Sequence, residues 1–199
     1  MNGVYVAAAE ISRFMRRRKW RYCIIGGMAL IRWGERRATE DVDITLLTGL
    51  GNETDFVDPL LRSFTGRIPD AREFALKNRV LLCQASNNVG IDIALGCLPF
   101  ENGVIDRATP FKFAPKLILN TASAEDLIVM KAYAGRTRDW LDVASVVQRQ
   151  TPRLDWDLIL RELRALAEQT DDGDSVAQLM EMRRKIELQL KSLEWNKES

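Results

Sequence analysis

Two glycines and two aspartates, set close together between Tyr22 and Leu47, constrain this chain more than any other feature. Tyr22-Cys23-Ile24-Ile25 is a short, continuously apolar run stopped by Gly26-Gly27, the pattern of a buried strand meeting a turn. Met28 to Trp33 continues as a helix, and Gly34 is a natural stop for it. Thr39 to Leu47 then reads as a second strand in which Asp41 and Asp43 are one residue apart. Alternate residues of a strand share a face, so both carboxylates are expected on the same side. Two carboxylates that close repel each other unless a hard cation such as Mg²⁺ lies between them. A glycine turn at a helix start presents backbone N–H groups to an anion. The spacing fits neither a Walker loop nor a dinucleotide-binding fingerprint.

Composition narrows the chemistry. The chain has 199 residues and no histidine, which removes Ser-His-Asp and Cys-His schemes and any histidine metal site. Acid–base and metal chemistry must rest mainly on carboxylates. The net charge of +1 gives no global attraction to nucleic acid, so any such contact needs a local patch. Arg16-Arg17-Arg18-Lys19, with Arg21 beyond Trp20, is either a solvated helix end or a phosphate-contacting patch beside the site. Cys23, Cys83 and Cys97 each lie in an apolar stretch and read as buried thiols of a reducing compartment. With no signal-like start and no membrane-length apolar run, a cytoplasmic protein without membrane contact is expected.

Along the chain, Val4 to Arg18 has the apolar stripe of a helix, and so has Thr54 to Phe64. Phe74 to Ala85 reads as a hairpin or bulged strand, and Val89 to Leu95 as a strand with Asp92 between Ile91 and Ile93. Short strands are expected at Phe111-Lys112-Phe113 and Leu117-Ile118-Leu119. Ser123, followed by Glu125 and Asp126, caps a helix. From there helices are expected over Ala124 to Ala134, Arg138 to Gln148, Trp156 to Glu168 and Ser175 to Trp195. Pro152 and Asp171-Asp172-Gly173-Asp174 separate the last three, and the tail ending at Ser199 is expected to fray. The fold class is therefore α+β: a mixed β-sheet flanked by helices over residues 1–120, followed by a C-terminal helical bundle over 121–199. Asp92 sits mid-strand among apolar neighbours, where a lone charge is costly without a cation, a donor or a function. If Asp41, Asp43 and Asp92 converge on one sheet edge, they form a site for divalent ions bridging a triphosphate.

Gly26-Gly27, the thirteen residues Met28 to Glu40, Asp41-Val42-Asp43 and a distal strand aspartate resemble the nucleotidyltransferase superfamily of DNA polymerase beta. Arg37-Ala38-Thr39-Glu40-Asp41-Val42-Asp43 is similar to the R-x-T-x-D-x-D signature of AbiEii/AbiGii-type abortive-infection toxin nucleotidyltransferases. Ser123 to Lys131 and Lys131 to Val143 resemble two further segments of that family, so the likeness spans roughly Tyr22 to Val147. It implies the nucleotidyltransferase fold and transfer of an NMP from an NTP to an acceptor hydroxyl, a tRNA 3′ end or a protein side chain. It implies Mg²⁺ or Mn²⁺ on Asp41, Asp43 and Asp92, with Asp92 also able to take the acceptor's proton. Gly26, Gly27, Arg37, Thr39, Lys131 and Arg136 would contact the nucleotide, and Asp139 and Asp142 would support Lys131. On the residues alone, Lys131, Asp139 and Asp142 can equally be a salt-bridge network, and Arg37 can bind phosphate or pair with Asp41 or Asp43. A toxin with a cognate antitoxin is one implied setting. A catalytically idle or antitoxin-like module and an aminoglycoside nucleotidyltransferase are the alternatives. Gly-Gly stands where that family often has Gly-Ser.

Overall fold

The computed structural model describes residues 2–168 and 174–198. The break at Asp171-Asp172-Gly173 and the terminal Ser199 lie outside the described residues. By contact the chain divides into two units. One comprises Met1–Ala29 and Arg37–Ser123, the other Leu30–Arg36 and Ala124–Ser199.

The first unit is built on a seven-stranded mixed sheet. Its strands are β1 (Tyr22–Ile24), β2 (Asp41–Leu47), β3 (Thr65–Gly66), β4 (Val80–Gln84), β5 (Gly90–Gly96), β6 (Thr109–Ala114) and β7 (Leu117–Thr121). They lie in the order β3-β4-β5-β2-β1-β7-β6, with β2/β5 and β1/β7 parallel and the remaining neighbours antiparallel. Alternation sorts the two central strands by face. Val42, Ile44 and Leu46 of β2, and Ile91, Ile93 and Leu95 of β5, are buried in one core. Helix α1 (Gly3–Arg17) covers that face with Val4, Ala7, Ala8, Ile11 and Met15, and α3 (Thr54–Leu61) adds Val57 and Leu60. Asp41, Asp43 and Asp92 alternate with these apolar residues and so belong to the opposite face.

Several local expectations change. Helix α2 begins at Gly26 and runs to Trp33, so the glycines form its first turn rather than a turn before it. Its second half belongs with the helical unit, where the Gln150 side chain donates to Trp33 O at 2.7 Å and Glu35 N–H donates to Ser145 Oγ at 3.2 Å. The segment read as a hairpin or bulged strand starts instead as helix α4 (Ala71–Asn78), with Ala71 and Ala75 buried one turn apart. Arg79, in the left-handed region at φ 57°, ends α4 and turns the chain directly into β4. Helix α5 (Pro99–Arg107) lies where the sequence pattern marks no element; the Glu101 carboxylate accepts from the N–H groups of Cys97 and Leu98 at its start. No disulfide joins the three cysteines, and burial pushes the Cys83 thiol up to about 12.

The second unit holds α6 (Ala124–Ala134), α7 (Thr137–Gln150), α8 (Trp156–Ala167) and α9 (Asp174–Glu198). Helix α6 packs against both α7 and α8, and its Leu127, Ile128, Val129 and Ala132 are all buried. An apolar face that wide suits the central helix of a bundle.

Candidate active site

The site begins where β1 ends. Ile25 N–H donates to Asp43 O at 3.0 Å, extending the antiparallel β1/β2 pairing by one bond. The chain then turns through Gly26 at φ +56°. A side chain is excluded there for two reasons: the backbone is left-handed, and a Cβ would lie 1.9 Å from Asp43 Oδ2. At Gly27 a Cβ would lie 2.4 Å from Thr39 Oγ1. Gly27 N–H donates to Asp43 Oδ2 at 3.2 Å. The two glycines thus let the helix start approach the Asp43 carboxylate and the Thr39 hydroxyl. The Thr39 hydroxyl in turn donates to Asp41 Oδ1 at 3.3 Å.

Parallel pairing of β2 with β5 sets Asp43 opposite Asp92 and Asp41 opposite Gly90. One carboxylate oxygen from each of Asp41, Asp43 and Asp92 lies within 4.8 Å of the others, and all three residues are half-buried. Three oxygens so close are mutually repulsive as free carboxylates. They are also the all-oxygen donor set that a hard divalent cation takes. The residues fit such an ion: strand register fixes the donors, and the glycines let the helix start close on Asp43 and Thr39.

A residue that the sequence reading passed over completes the cluster. Arg67, just after β3, bonds its guanidinium to Asp92 Oδ1. Its backbone N–H donates to Leu82 O on β4, so its side chain spans β4 to reach β5. Gly90 makes room for it, since a Cβ there would lie 2.5 Å from Arg67 Nη1. Nothing in the local pattern Thr65-Gly66-Arg67-Ile68-Pro69 announces this, because the contact depends on sheet order. Burial lifts the Asp92 carboxyl above its ordinary range; Arg67 pulls it down and the charge of Asp41 pushes it further up, leaving it raised. Arg37, the cation expected near the acids, donates from Nη1 to Ala38 O at 3.3 Å.

The second set of predicted residues meets within the helical unit. Lys131 Nζ lies 2.9 Å from Asp139 Oδ1 and 2.6 Å from Asp142 Oδ2. Arg136 Nε donates to the other Asp139 oxygen at 2.6 Å. The Lys131, Asp139 and Asp142 side chains are 10%, 6% and 6% exposed, whereas Arg136 is 77% exposed. Burial alone would raise the Asp139 carboxyl, but the bonds and charges of Lys131 and Arg136 outweigh it and hold it low.

The arginine run is remote from the acids. Leu47 N–H donates to Arg21 O, so Arg21 lies at the far end of β2, six residues or about 20 Å along the strand from Asp41. Arg13, Arg16, Arg17 and Lys116 line a concave site of about 610 Å³ floored by Leu117 and Ile118. A second concavity of about 610 Å³ lies beside it, lined by Arg16, Trp20, Arg21 and Tyr22. The patch is thus a separate surface and not one beside the acids.

Residues 5–197 match the family described as nucleotidyltransferase of unknown function (DUF6036). The chain belongs to that family. This nucleotidyltransferase is accordingly a transferase, and its α+β architecture with a mixed sheet is the one expected. No curated relative matches the sequence. Among solved structures it is similar to an antigenic nucleotidyltransferase-like protein from Paracoccidioides brasiliensis, at 16% identity and TM-score 0.48, covering 88% of this chain and 90% of that one. It is also similar to the antibiotic-resistance factor ANT(2'')-Ia in solution, at 15% identity and TM-score 0.44, covering 98% and 96%. The crystal structure of ANT(2'')-Ia in complex with adenylyl-2''-tobramycin aligns at 13% identity and TM-score 0.43, covering 92% and 96%. Among the described residues no helix is long and apolar enough to cross a membrane.

Proposed function

We propose that this nucleotidyltransferase moves a nucleoside monophosphate from an NTP to an acceptor hydroxyl, using Mg²⁺ or Mn²⁺ held by Asp41, Asp43 and Asp92. The observation that carries the reading is the β2/β5 register, which gathers three carboxylate oxygens within 4.8 Å beside a glycine-lined helix start. Bound divalent ions would neutralise the triphosphate and the charge that develops during transfer. The chain's own residues do the rest. Gly26 and Gly27 admit the phosphates close to the backbone, and Thr39 and Arg37 add a hydroxyl and a guanidinium. The acceptor oxygen forms a bond to the α-phosphorus, the bond to the β-phosphate's bridging oxygen breaks, and pyrophosphate leaves. The acceptor's proton passes to a carboxylate, a role this reading gives to Asp92.

Lys131 has two of its three N–H donors directed at Asp139 and Asp142. Within the helical unit Asp139 and Asp142 hold Lys131 in place, and Asp139 also holds the exposed Arg136. For the acceptor we favour RNA. The basic concavities around Arg13, Arg16, Arg17 and Lys116 offer several cations to a polyanion, and a surface apart from the acids suits a polymer better than a small molecule. The likeness to abortive-infection enzymes extends this to a toxin neutralised by an antitoxin.

The test is incubation with each α-labelled NTP, Mg²⁺, and total cell RNA and protein. Label on RNA, lost in Asp41→Asn/Asp43→Asn, is the expected result. Label on protein would replace RNA as acceptor. NTP binding without any transfer would identify a catalytically idle module. Arg13→Glu/Arg17→Glu should lower RNA affinity and flatten its salt dependence; an unchanged slope would remove the patch from the proposal.

A further inference from the structure

The geometry points to Arg67 as a resident counter-cation of the acidic cluster, one that divalent metal must displace from Asp92 and that the nucleotide's triphosphate then receives. The inference rests on the metal-site reading and adds a residue and a sequence of exchanges to it.

Three observations carry it. First, the Arg67 guanidinium bonds to Asp92 Oδ1, an oxygen of the one acid that β5 contributes to the cluster. A metal ion and a guanidinium on the same carboxylate are like charges a few ångströms apart, so each weakens the other's hold on Asp92. Second, the position is built. Arg67's backbone is tied to Leu82, Leu82 pairs with Asp92 across β4/β5, and Gly90 supplies the space that the guanidinium fills. Any larger residue at 90 would push the guanidinium out. Third, both partners are only 31% exposed, so the pair is neither a deep structural ion pair nor a freely solvated one. It can open without unfolding the sheet, because the arginine's anchor is at its backbone and its head is at the cluster's edge.

The consequence is an order of events. Without metal, Arg67 relieves repulsion at Asp92 and keeps that strand aspartate in place. When a divalent ion takes Asp92, the guanidinium is released a few ångströms away, still charged, beside a site that now attracts polyphosphate. Guanidinium pairs with phosphate oxygens in two-point fashion, so the released arginine adds to triphosphate binding. Arg67 is therefore a positioning residue toward Asp92 and a binding residue toward the nucleotide. Its removal should move two affinities in opposite directions, which a merely structural role does not do.

The experiment uses the full chain and two probes: Mn²⁺ alone, then inorganic tripolyphosphate with Mn²⁺ saturating, both by titration calorimetry. Circular dichroism confirms that each variant is folded. Arg67→Ala should tighten Mn²⁺ alone by about fivefold to tenfold and weaken tripolyphosphate by a similar factor. Gly90→Ala, which displaces the guanidinium and keeps its charge, should tighten Mn²⁺ and leave tripolyphosphate binding nearly as in wild type. Arg67→Lys should fall between wild type and alanine for both probes. Mn²⁺ affinity that is unchanged or weaker in both Arg67→Ala and Gly90→Ala overturns the competition. Unchanged tripolyphosphate affinity in Arg67→Ala overturns the hand-over. Asp43→Asn separates this failure from failure of the underlying reading. If Asp43→Asn binds Mn²⁺ like wild type, the metal site itself is wrong and the inference falls with it.

Discussion

The sheet and the helical unit each gather charge, and they do it in opposite ways. On the sheet, strand register brings three like charges, Asp41, Asp43 and Asp92, to within 4.8 Å. Among the helices, Lys131 sits between Asp139 and Asp142, and Arg136 caps the outer Asp139 oxygen. The helical network pairs opposite charges within hydrogen-bonding distance and leaves little more to neutralise. On the sheet the three carboxylates lie together with the Arg67 guanidinium on Asp92. Convergence of like charges costs folding energy and persists where a ligand offsets it, whereas alternation of charges is what a structural network needs. The comparison sets three convergent carboxylates on the sheet against a lysine held between two carboxylates among the helices.

The largest break is expected at the sheet. Asp41→Asn/Asp43→Asn should lower NMP transfer by about a thousandfold or more, while thermal unfolding stays at or above wild type because repulsion has been removed. A double variant with a sharply lower melting point would mean that those carboxylates hold the fold together, contrary to the comparison. Lys131→Met should behave in the reverse sense. Stranding two nearly buried carboxylates should cost about 3 kcal/mol of stability in a denaturant titration. Lys131→Met/Asp139→Asn/Asp142→Asn, with the charges removed together, should recover most of that loss. If it does not, the helical cluster is more than a charge-paired scaffold.

Two smaller effects sharpen the contrast. Saturating Mn²⁺ at a hundredfold over its Kd should stabilise the wild type by about 2.7 kcal/mol and leave Asp41→Asn/Asp43→Asn unmoved. Stabilisation of both proteins alike would place the ion elsewhere. The pH effect is the smallest. Asp139 is held below its usual 3.8 in the folded chain, so it binds fewer protons folded than unfolded around that pH. Its contribution is complete above that range and is lost as pH falls through the depressed value. Asp139→Asn should therefore flatten the acid limb of the stability curve below about pH 4, as read by unfolding at a series of pH values.

Much of the acidic cluster's make-up is legible in the sequence because its signals are local. Gly26-Gly27 at a strand end and Asp41-Val42-Asp43 opening the next strand are properties of neighbouring residues, and burial cost singles out Asp92 without reference to any partner. Local signals failed where two neighbouring conformations competed. Phe74 to Ala85 has enough apolar residues for strand throughout, and the left-handed Arg79 divides it into a helix and a strand. Helix α5 is only nine residues long and has one fully buried side chain, Val104, so its periodicity is faint.

By itself the sequence determined the acids, the glycines, the absence of histidine chemistry and the change from mixed to helical texture after the sheet. Each follows from residue type and spacing along one element. Tertiary structure decided which charges meet. It put Asp92 opposite Asp43 through a parallel pairing between strands 49 residues apart in sequence, brought Arg67 across an intervening strand to Asp92, and moved the arginine run to the far end of β2. Those placements depend on strand order and register, which are set by packing of the whole sheet against α1 and α3 and leave no mark in the spacing of any one segment.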